Sequence, residues 1–455
     1  MISALSAPLA LNADSALPQL GENSAFNIEQ EKTIGQRFYR QLMSNGLIET
    51  NPLLDRYIND LGARLLSALD LRLRDYHFFI VKDGSVNAFA VPGGYIGIHI
   101  GLINQSKSEE QLASVLAHEI SHVRLMHSMK LWKKSGEVNE TAALSILAGL
   151  LLGGLNSELG AAVIFGSAAG SQQSMINFTR ENEYEADRLG IELLQNAGFD
   201  ASGMVEFFQI LDRISGSSEY QNIEYLRTHP INSNRISEAQ SRIKNLPRVN
   251  RISRNNYTLF QDYLSYINHD LTISGSSQFS QALTSLKAGN YARANLDLEA
   301  LYLQNKENVW YASVYSENLI NLGRWQEAEI VYRKLLDIFP NDFVVSLRLM
   351  ELLKNTQQYQ AALTIARSME NYYPLNKTVY VELAELYQLM KQDVLSMIAE
   401  AEYHRLNGNH QRTIKLYDSI LETAGIDLAT ESKIREKRAE LVKLRLSQKR
   451  KRAVQ

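Results

Sequence analysis

Apolar positions in the first part of the chain change from a helical to a strand-like pattern. They recur at 3.6-residue spacing over residues 26–42 and 52–69, which predicts two amphipathic helices. Three runs rich in β-branched and aromatic residues follow, and turn signals separate them. These runs are Tyr76–Val81, Asn87–Val91 and Tyr95–Ile100. The tight turns between them predict a small antiparallel sheet.

Two further helices are predicted beyond the sheet. Ser108-Glu-Glu-Gln111 is a capping-box pattern directly before an apolar helical run, so a helix is expected to begin there. A second amphipathic helix is predicted from about Thr179 to Ala197. Between them lies the longest apolar run, Ala142–Leu155, which is too short to span a membrane. It predicts either a flexible apolar cover or a packed helix, or else a contact with a membrane or a hydrophobic partner.

The second half of the chain contains an internal repeat. A small residue three positions after an aromatic one recurs at a period of 34 residues, which is the tetratricopeptide signature. The pairs are Tyr291 and Ala294, Trp325 and Ala328, and Tyr359 and Ala362. Accidental helical hairpins are the alternative. The register is then expected to slip, with an extra helix over about 394–406 starting a new pair. The predicted domains are 1–26 (a flexible arm or signal remnant), 27–267, 278–425 (the repeats) and 426–455 (a basic helix or tail).

Composition narrows the chemistry that the protein can perform. The 455 residues include no cysteine, which excludes disulfides, thiol nucleophiles and iron–sulfur clusters. A metal would have to be held by His, Asp or Glu. The net charge of −3 gives no general attraction to nucleic acid. From residue 433 to 452, however, ten Lys and Arg face two Glu, which predicts a solvated helix end or a surface for acidic lipid or an acidic partner.

His118-Glu-Ile-Ser-His122 is the motif that most clearly indicates a chemical function. Positions four apart lie on one face of a helix, so both imidazoles can bind one metal ion. Glu119 is then placed to take a proton from water at that metal. Two unrelated histidines on a surface helix are the alternative. His127 is five residues after His122 and would point about 140° away on a continuous helix, so it is predicted to be a poor third ligand.

The second predicted helix supplies candidates for the missing ligand. Glu183 and Asp187 are four apart and share a face, so one can bind the metal while the other accepts a proton from a ligating imidazole. Glu181 and Glu185 are expected on other faces. A solvated acidic helix is the alternative interpretation.

Together these motifs make the sequence similar to the M48 family of zinc metallopeptidases. The matching features are Asn87-Ala-Phe89, Pro92-Gly-Gly94, the His118–His122 motif, Glu183 with Asp187, and Thr228-His-Pro230. The resemblance implies an α+β, mostly helical protein: a zincin-like metalloprotease domain with a small antiparallel sheet, followed by an α-solenoid of tetratricopeptide repeats.

The resemblance also implies roles for individual residues. One Zn²⁺ would be held by His118, His122 and Glu183, with Glu119 as general base and Asp187 as support. His229 would be a further ligand at rest that blocks the water site, or, once displaced, would help to bind the oxyanion. Arg235 is a weaker candidate for charge stabilisation. Asn87, Ala88 and Phe89 resemble the edge strand with which an extended substrate pairs.

The function implied is that of a periplasmic zinc endopeptidase in envelope protein quality control. In family members with trailing repeats, the repeats contact the outer-membrane barrel assembly machinery and its clients. Unfolded or misassembled polypeptides are therefore the expected substrates, although the secretory signal is incomplete in this sequence. The alternative is a non-proteolytic chaperone or scaffold that acts through its repeats, with a latched or silent zinc site.

Overall fold

The structure is a computed structural model that describes most of the chain. The described residues are 28–69, 75–130, 169–215, 223–247, 249, 256–268, 273 and 275–454. The predicted N-terminal arm and the apolar run Ala142–Leu155 lie outside them. In the part that is described, no helix is both long enough and apolar enough to cross a bilayer.

The chain divides into two compact units, which are described separately. The first unit lies within residues 1–50 and 58–252, and the second within 51–57 and 253–455. Residues 52–66 form one helix that begins in the second unit and continues into the first. Residues 256–267 belong to the second unit, whereas the sequence predicts them at the end of the domain 27–267.

The first unit consists of helices around a three-stranded sheet. Its elements are α1 (Ile28–Ser44), α2 (Pro52–Leu66), β1 (His77–Val81), β2 (Ala88–Val91), β3 (Tyr95–His99), α3 (Ile100–Gln105), α4 (Glu109–Arg124), α5 (Ala169–Asn196), α6 (Ser202–Ser215), α7 (Glu224–Thr228) and α8 (Ser233–Lys244). The mostly helical α+β class predicted from the sequence is confirmed. An apolar core joins α1 to the sheet.

The sheet is mixed, and the prediction that it is antiparallel was wrong for one of its two pairings. The strand order is β1-β3-β2, with β3 antiparallel to β2 but parallel to β1. Only β2 and β3 are joined by a tight turn, in which Gly93 and Gly94 both have φ of 82°. Strand β3 is buried at every position, as a central strand is. A side chain at Gly97 would strike the Phe89 ring, so this glycine allows the close packing.

The second unit is an array of antiparallel helix pairs. Its helices are α9 (Asn256–Ile267), α10 (Gln278–Lys287), α11 (Tyr291–Gln304), α12 (Val309–Asn321), α13 (Trp325–Ile338), α14 (Phe343–Asn355), α15 (Tyr359–Tyr372), α16 (Lys377–Leu389), α17 (Asp393–Leu406), α18 (His410–Leu421) and α19 (Leu428–Val454). The starts of α11, α13, α15 and α17 follow one another at the 34-residue period predicted from the sequence.

The predicted slip of the repeat does not occur at α17. This helix packs against α16 and completes the pair that α16 begins, so it does not start a new one. The turn before each second helix contains a residue with positive φ, at Gly289, Gly323, Gln357 and Lys391. The backbone therefore keeps the period where the sequence motif has lost its glycine and its aromatic residue.

The start of the basic C-terminal segment is a packed helix. Ile434 and Leu441 of α19 are buried in a cluster with Tyr417 and Ile420 of α18. Lys437 forms an ion pair with Glu402. This part of the segment therefore completes the helical array.

Candidate metal centre and active site

Helix α4 carries the two histidines of the motif into the interior of the first unit. The Ser108 side chain caps its first turn by accepting a hydrogen bond from the Gln111 backbone N–H. His118 and His122 lie one turn apart on the same face, and His118 is only 1% exposed. Their Nε2 atoms are 2.9 Å apart, so both aim at one point.

Helix α5 brings its acidic pair against this face. Glu183 is 2% exposed, and its carboxylate oxygens lie 3.3 Å from Nε2 of His118 and 3.3 Å from Nε2 of His122. The two helices approach closely because α5 has a glycine at position 190. A Cβ at Gly190 would lie 3.4 Å from the His118 backbone nitrogen and 3.1 Å from Met204 Cε.

His229, which follows the short helix α7, completes the cluster. Its Nδ1 lies 3.0 Å from Glu183 Oε1 and 3.3 Å from His118 Nε2. The Tyr225 ring packs beside it at a centroid distance of 4.7 Å. The ligand atoms of His118, His122, Glu183 and His229 all lie within 4.8 Å of one another. The structure thus brings together the four residues that the sequence suggested as ligands.

The electrostatics of the cluster suit a cation. Burial opposes ionisation of Glu183, but its contacts with His229, His122 and His118 outweigh this effect and hold the pKa of the carboxyl well below its usual range. Burial lowers the pKa of His122 to about 3, so its Nε2 lone pair is available at neutral pH. Burial alone would lower the pKa of His118, but Asp187 and Glu183 raise it to about 10. A metal would therefore displace a proton from His118.

Glu119 lies next to the cluster and has no ligand atom in it. It is 1% exposed, and its Oε1 has no hydrogen-bond partner in the described part of the structure. The nearest imidazole atom is His229 Nε2, at 3.4 Å. Burial raises the pKa of Glu119, against the opposing fields of His229 and His118. A buried carboxyl whose pKa is raised can exchange a proton with a small molecule in the site.

Asp187 and Arg235 support the ligands from behind. Asp187 Oδ1 lies 3.0 Å from His118 Nδ1, the ring atom opposite the cluster. Arg235 Nε and Nη2 donate to the two Asp187 oxygens at 2.7 and 2.8 Å. Arg235 Nη1 donates to the Pro230 carbonyl at 2.8 Å and lies 3.0 Å from Glu183 Oε2. Arg235 thus ties the ligating helix to the segment that holds His229.

The structure adds two residues to the neighbourhood of the site. His127 Nδ1 lies 2.9 Å from His122 Nδ1, and His127 Nε2 lies 3.1 Å from Glu185 Oε2. On the continuous helices predicted from the sequence, both side chains would point away from the site. Helix α4 ends at Arg124, and Met126 has a φ of 57°, so the chain reverses and returns His127 to the site. No motif in the sequence marks that turn.

The predicted substrate strand is one of the two edge strands of the sheet, and it packs against α4. The side chains of Asn87, Ala88 and Phe89 are all buried. The Asn87 carbonyl accepts a hydrogen bond from the His99 N–H at 2.9 Å. Because hydrogen-bonded and non-bonded pairs alternate along an antiparallel ladder, the backbone groups of Ala88 and Ala90 point away from β3. Among the described residues no further strand lies beside β2, so its outward backbone groups rather than its buried side chains can pair with an added strand.

The residues present fit a bound metal ion. Three imidazole nitrogens and a carboxylate oxygen converge in a buried space, and the Nδ1 of His118 faces a carboxylate, as in known metal sites. Such a set of nitrogen and oxygen donors matches the preferences of zinc and related divalent ions.

Comparison with known proteins agrees with this chemistry. The family model described as "Peptidase family M48" matches residues 52–243. The Beta-barrel assembly-enhancing protease of Escherichia coli (strain K12) is 32% identical over 435 residues, which cover 90% of this chain and 88% of that protein. Its counterpart in Yersinia pestis is 29% identical, covering 89% and 87%. The Mitochondrial metalloendopeptidase OMA1 of Schizosaccharomyces pombe is 25% identical, covering 47% of this chain and 61% of that protein. With its converging ligands, its buried glutamate and this similarity along most of its length, the chain belongs to peptidase family M48 and is a metallopeptidase.

Proposed function

We propose that the protein is a zinc-dependent endopeptidase that degrades misassembled outer-membrane proteins in the periplasm and assists their assembly through its repeats. The main observation behind the proposal is the convergence of His118, His122, Glu183 and His229 beside the buried Glu119, whose Oε1 accepts no hydrogen bond in the described part of the structure. The names of the Escherichia coli and Yersinia pestis relatives, which refer to β-barrel assembly, support the choice of substrates.

Zinc would be held by His118, His122 and Glu183, with His229 as a fourth ligand at rest. A zinc ion bound there would supply Lewis-acid polarisation of a peptide carbonyl and of water. Glu119 takes a proton from the attacking water and delivers it to the leaving amine. Its raised pKa suits this exchange, because it makes the carboxylate a stronger base than an ordinary glutamate.

His229 acts in this proposal as a reversible block. Four protein ligands close a tetrahedral zinc site, whereas a catalytic site needs an open position. His229 is the ligand best suited to leave, because it lies outside helices α4 and α5, which hold the other three. When displaced, its ring remains near enough to bind the oxyanion.

Arg235 has a positioning role in this scheme. Its Nε, Nη1 and Nη2 all bind Asp187, Glu183 or Pro230, so they are committed to holding protein groups. We propose this role in place of the charge stabilisation of substrate that its sequence position suggested.

An extended polypeptide fits the edge of β2 better than a folded protein does. The outward N–H and C=O groups of Ala88 and Ala90 can pair with a substrate strand by β-augmentation. A chain must be locally unfolded to add a strand in this way. The edge strand therefore supports unfolded or misassembled polypeptides as the substrate class.

The substitution Glu119→Gln tests the enzyme directly. We expect the variant to bind one zinc per chain and to cleave casein at least 100-fold more slowly than the wild type. Glu181→Gln is the matched control, because Glu181 is exposed on α5 and undergoes the same chemical change. Equal cleavage by wild type and Glu119→Gln would disprove the proposed mechanism.

A non-proteolytic chaperone or scaffold is the second candidate function, since His229 as a fourth ligand would keep the site latched. Casein cleavage by the wild type separates the two, because only the endopeptidase proposal predicts it. Under either candidate, a latch predicts faster casein cleavage by His229→Ala than by the wild type. If the wild type and both variants support outer-membrane protein assembly equally while none cleaves casein, the scaffold function is the correct one.

A further inference from the structure

His127 and Glu185 form a chain of contacts that ends on a proposed metal ligand. The chain runs from Glu185 Oε2 to His127 Nε2 at 3.1 Å, and from His127 Nδ1 to His122 Nδ1 at 2.9 Å. His127 is 4% exposed, whereas the Glu185 side chain is half exposed. Neither residue belongs to the group of converging ligands.

Only one arrangement of protons is compatible with metal binding by His122. Its Nε2 faces the other ligand atoms, at 2.9 Å from His118 Nε2, so a metal there requires that Nε2 carry no proton. The proton of the neutral ring must then reside on Nδ1 and be donated to His127 Nδ1. His127 in turn carries its own proton on Nε2 and donates it to the Glu185 carboxylate.

We propose that His127 and Glu185 are positioning residues that fix the tautomer and ring orientation of His122 for metal binding. They do for His122 what Asp187 and Arg235 do for His118. Each ligating imidazole of α4 is thus held by a different partner: one by a carboxylate directly, the other by a carboxylate acting through a second imidazole. The inference rests on the metal site proposed above.

The backbone supports a specific placement of His127. Met126 adopts a φ of 57°, a conformation that side chains other than glycine adopt at some cost in energy. This turn directs the His127 ring back to His122, and its Nδ1 and Nε2 both find partners there. A ring that served only to fill space would have no need for both contacts.

The test is the affinity for zinc, measured by competition with a chromophoric chelator. We expect His127→Ala to weaken zinc binding about 10–100-fold, as loss of a group that supports a ligand does. His127→Gln should recover most of the affinity, because its amide can accept from His122 and donate to Glu185. Cobalt(II) in place of zinc should show altered d–d absorption bands in His127→Ala but not in His127→Gln.

Substitution of Glu185 provides a second, independent arm of the experiment. Glu185→Ala should weaken zinc binding in the wild type but add nothing in the His127→Ala background, because Glu185 acts only through His127. Glu181→Ala removes an exposed carboxylate from the same helix and should change nothing. This arm still tests the inference if His127→Ala does not fold.

The outcomes separate this inference from the metal site itself. A wild type that binds no zinc would overturn the site. A wild type that binds zinc, with His127→Ala and Glu185→Ala of equal affinity to it, would overturn only the positioning role. The positioning role would also be overturned if His127→Gln lost as much zinc affinity as His127→Ala. The same holds if the losses caused by His127→Ala and Glu185→Ala were additive.

Discussion

Arg235 donates hydrogen bonds from Nε and Nη2 to the Asp187 carboxylate at 2.7 and 2.8 Å, and Arg235 is only 2% exposed. A buried guanidinium requires its partner, because an unpaired charge is costly away from water. The pair stands behind His118, so the same contact that compensates the buried charge also orients a ligand. Stability and metal binding are therefore coupled at this point of the first unit.

Asp187→Asn should lower both the stability of the folded protein and its affinity for zinc. The amide removes the charge that compensates Arg235, so we expect unfolding in urea to show a loss of about 3–5 kcal/mol. Zinc affinity should fall about 10–100-fold, because a neutral amide supports His118 less well than the carboxylate that faces its Nδ1. Glu238→Gln is the control: it changes an ion pair with Arg188 on the surface, where the loss should be below about 1 kcal/mol. An Asp187→Asn variant as stable as Glu238→Gln would contradict the coupling.

Metal binding should release a proton and so strengthen as the pH rises. Contacts with Asp187 and Glu183 overcome the effect of burial and raise the pKa of His118 to about 10. Below that value the metal-free ring is protonated, and zinc must displace the proton from Nε2. Between about pH 7 and pH 9, zinc affinity should increase about tenfold per pH unit. Titration calorimetry in buffers of different ionisation enthalpy measures the protons released, and an affinity independent of pH would refute the expectation.

The parts of the site that lie within one helix were predictable from sequence. The spacing of His118 and His122, and that of Glu183 and Asp187, translates directly into shared faces because the helical repeat is regular. His229 required the family resemblance, since no periodicity connects a residue after a short helix to Glu183, 46 positions earlier, or to His118, 111 positions earlier. His127 could not be predicted, because the reversal at Met126 places a left-handed conformation on a residue that does not favour it.

In the fold too, local elements could be predicted from the sequence, whereas pairings between distant segments could not. Strand positions followed from composition, but the pairing of β1 with β3 did not, because the central strand is chosen by burial on both faces. In the repeats, the sequence signature persists through Tyr359 and Ala362, although Gln357 replaces the glycine of that turn, and it is lost in the turn at Lys391. The packing of successive helices preserves the turn there even though the sequence signal is gone.

Gln357 is a place where the repeat can be stabilised. Its φ is 60°, whereas the equivalent turn in the preceding repeat has glycine, Gly323, at 73°. Gln357→Gly should stabilise the folded protein by about 1 kcal/mol, because glycine adopts this conformation without steric cost. Gly323→Ala should destabilise it by a similar amount. Gln360→Gly, at an exposed helical position nearby, should also be destabilising, which controls for the added flexibility of glycine. Urea denaturation measures the stability of each variant. A Gln357→Gly variant less stable than the wild type would contradict the assignment of backbone strain to Gln357.

Ala90→Pro tests whether substrates pair with the edge of β2. The Ala90 N–H points away from β3, so proline removes a donor from the free edge and leaves the ladder to β3 intact. We expect KM for an extended peptide to rise about tenfold, which corresponds to the loss of one backbone hydrogen bond of about 1.4 kcal/mol. Zinc content should stay at one per chain, because β2 supplies none of the converging ligands. Ala90→Gly, which keeps the N–H, is the matched control for the loss of the methyl group. If Ala90→Pro and Ala90→Gly had the same KM, substrate would have to bind elsewhere, and the preference for unfolded chains would need another explanation.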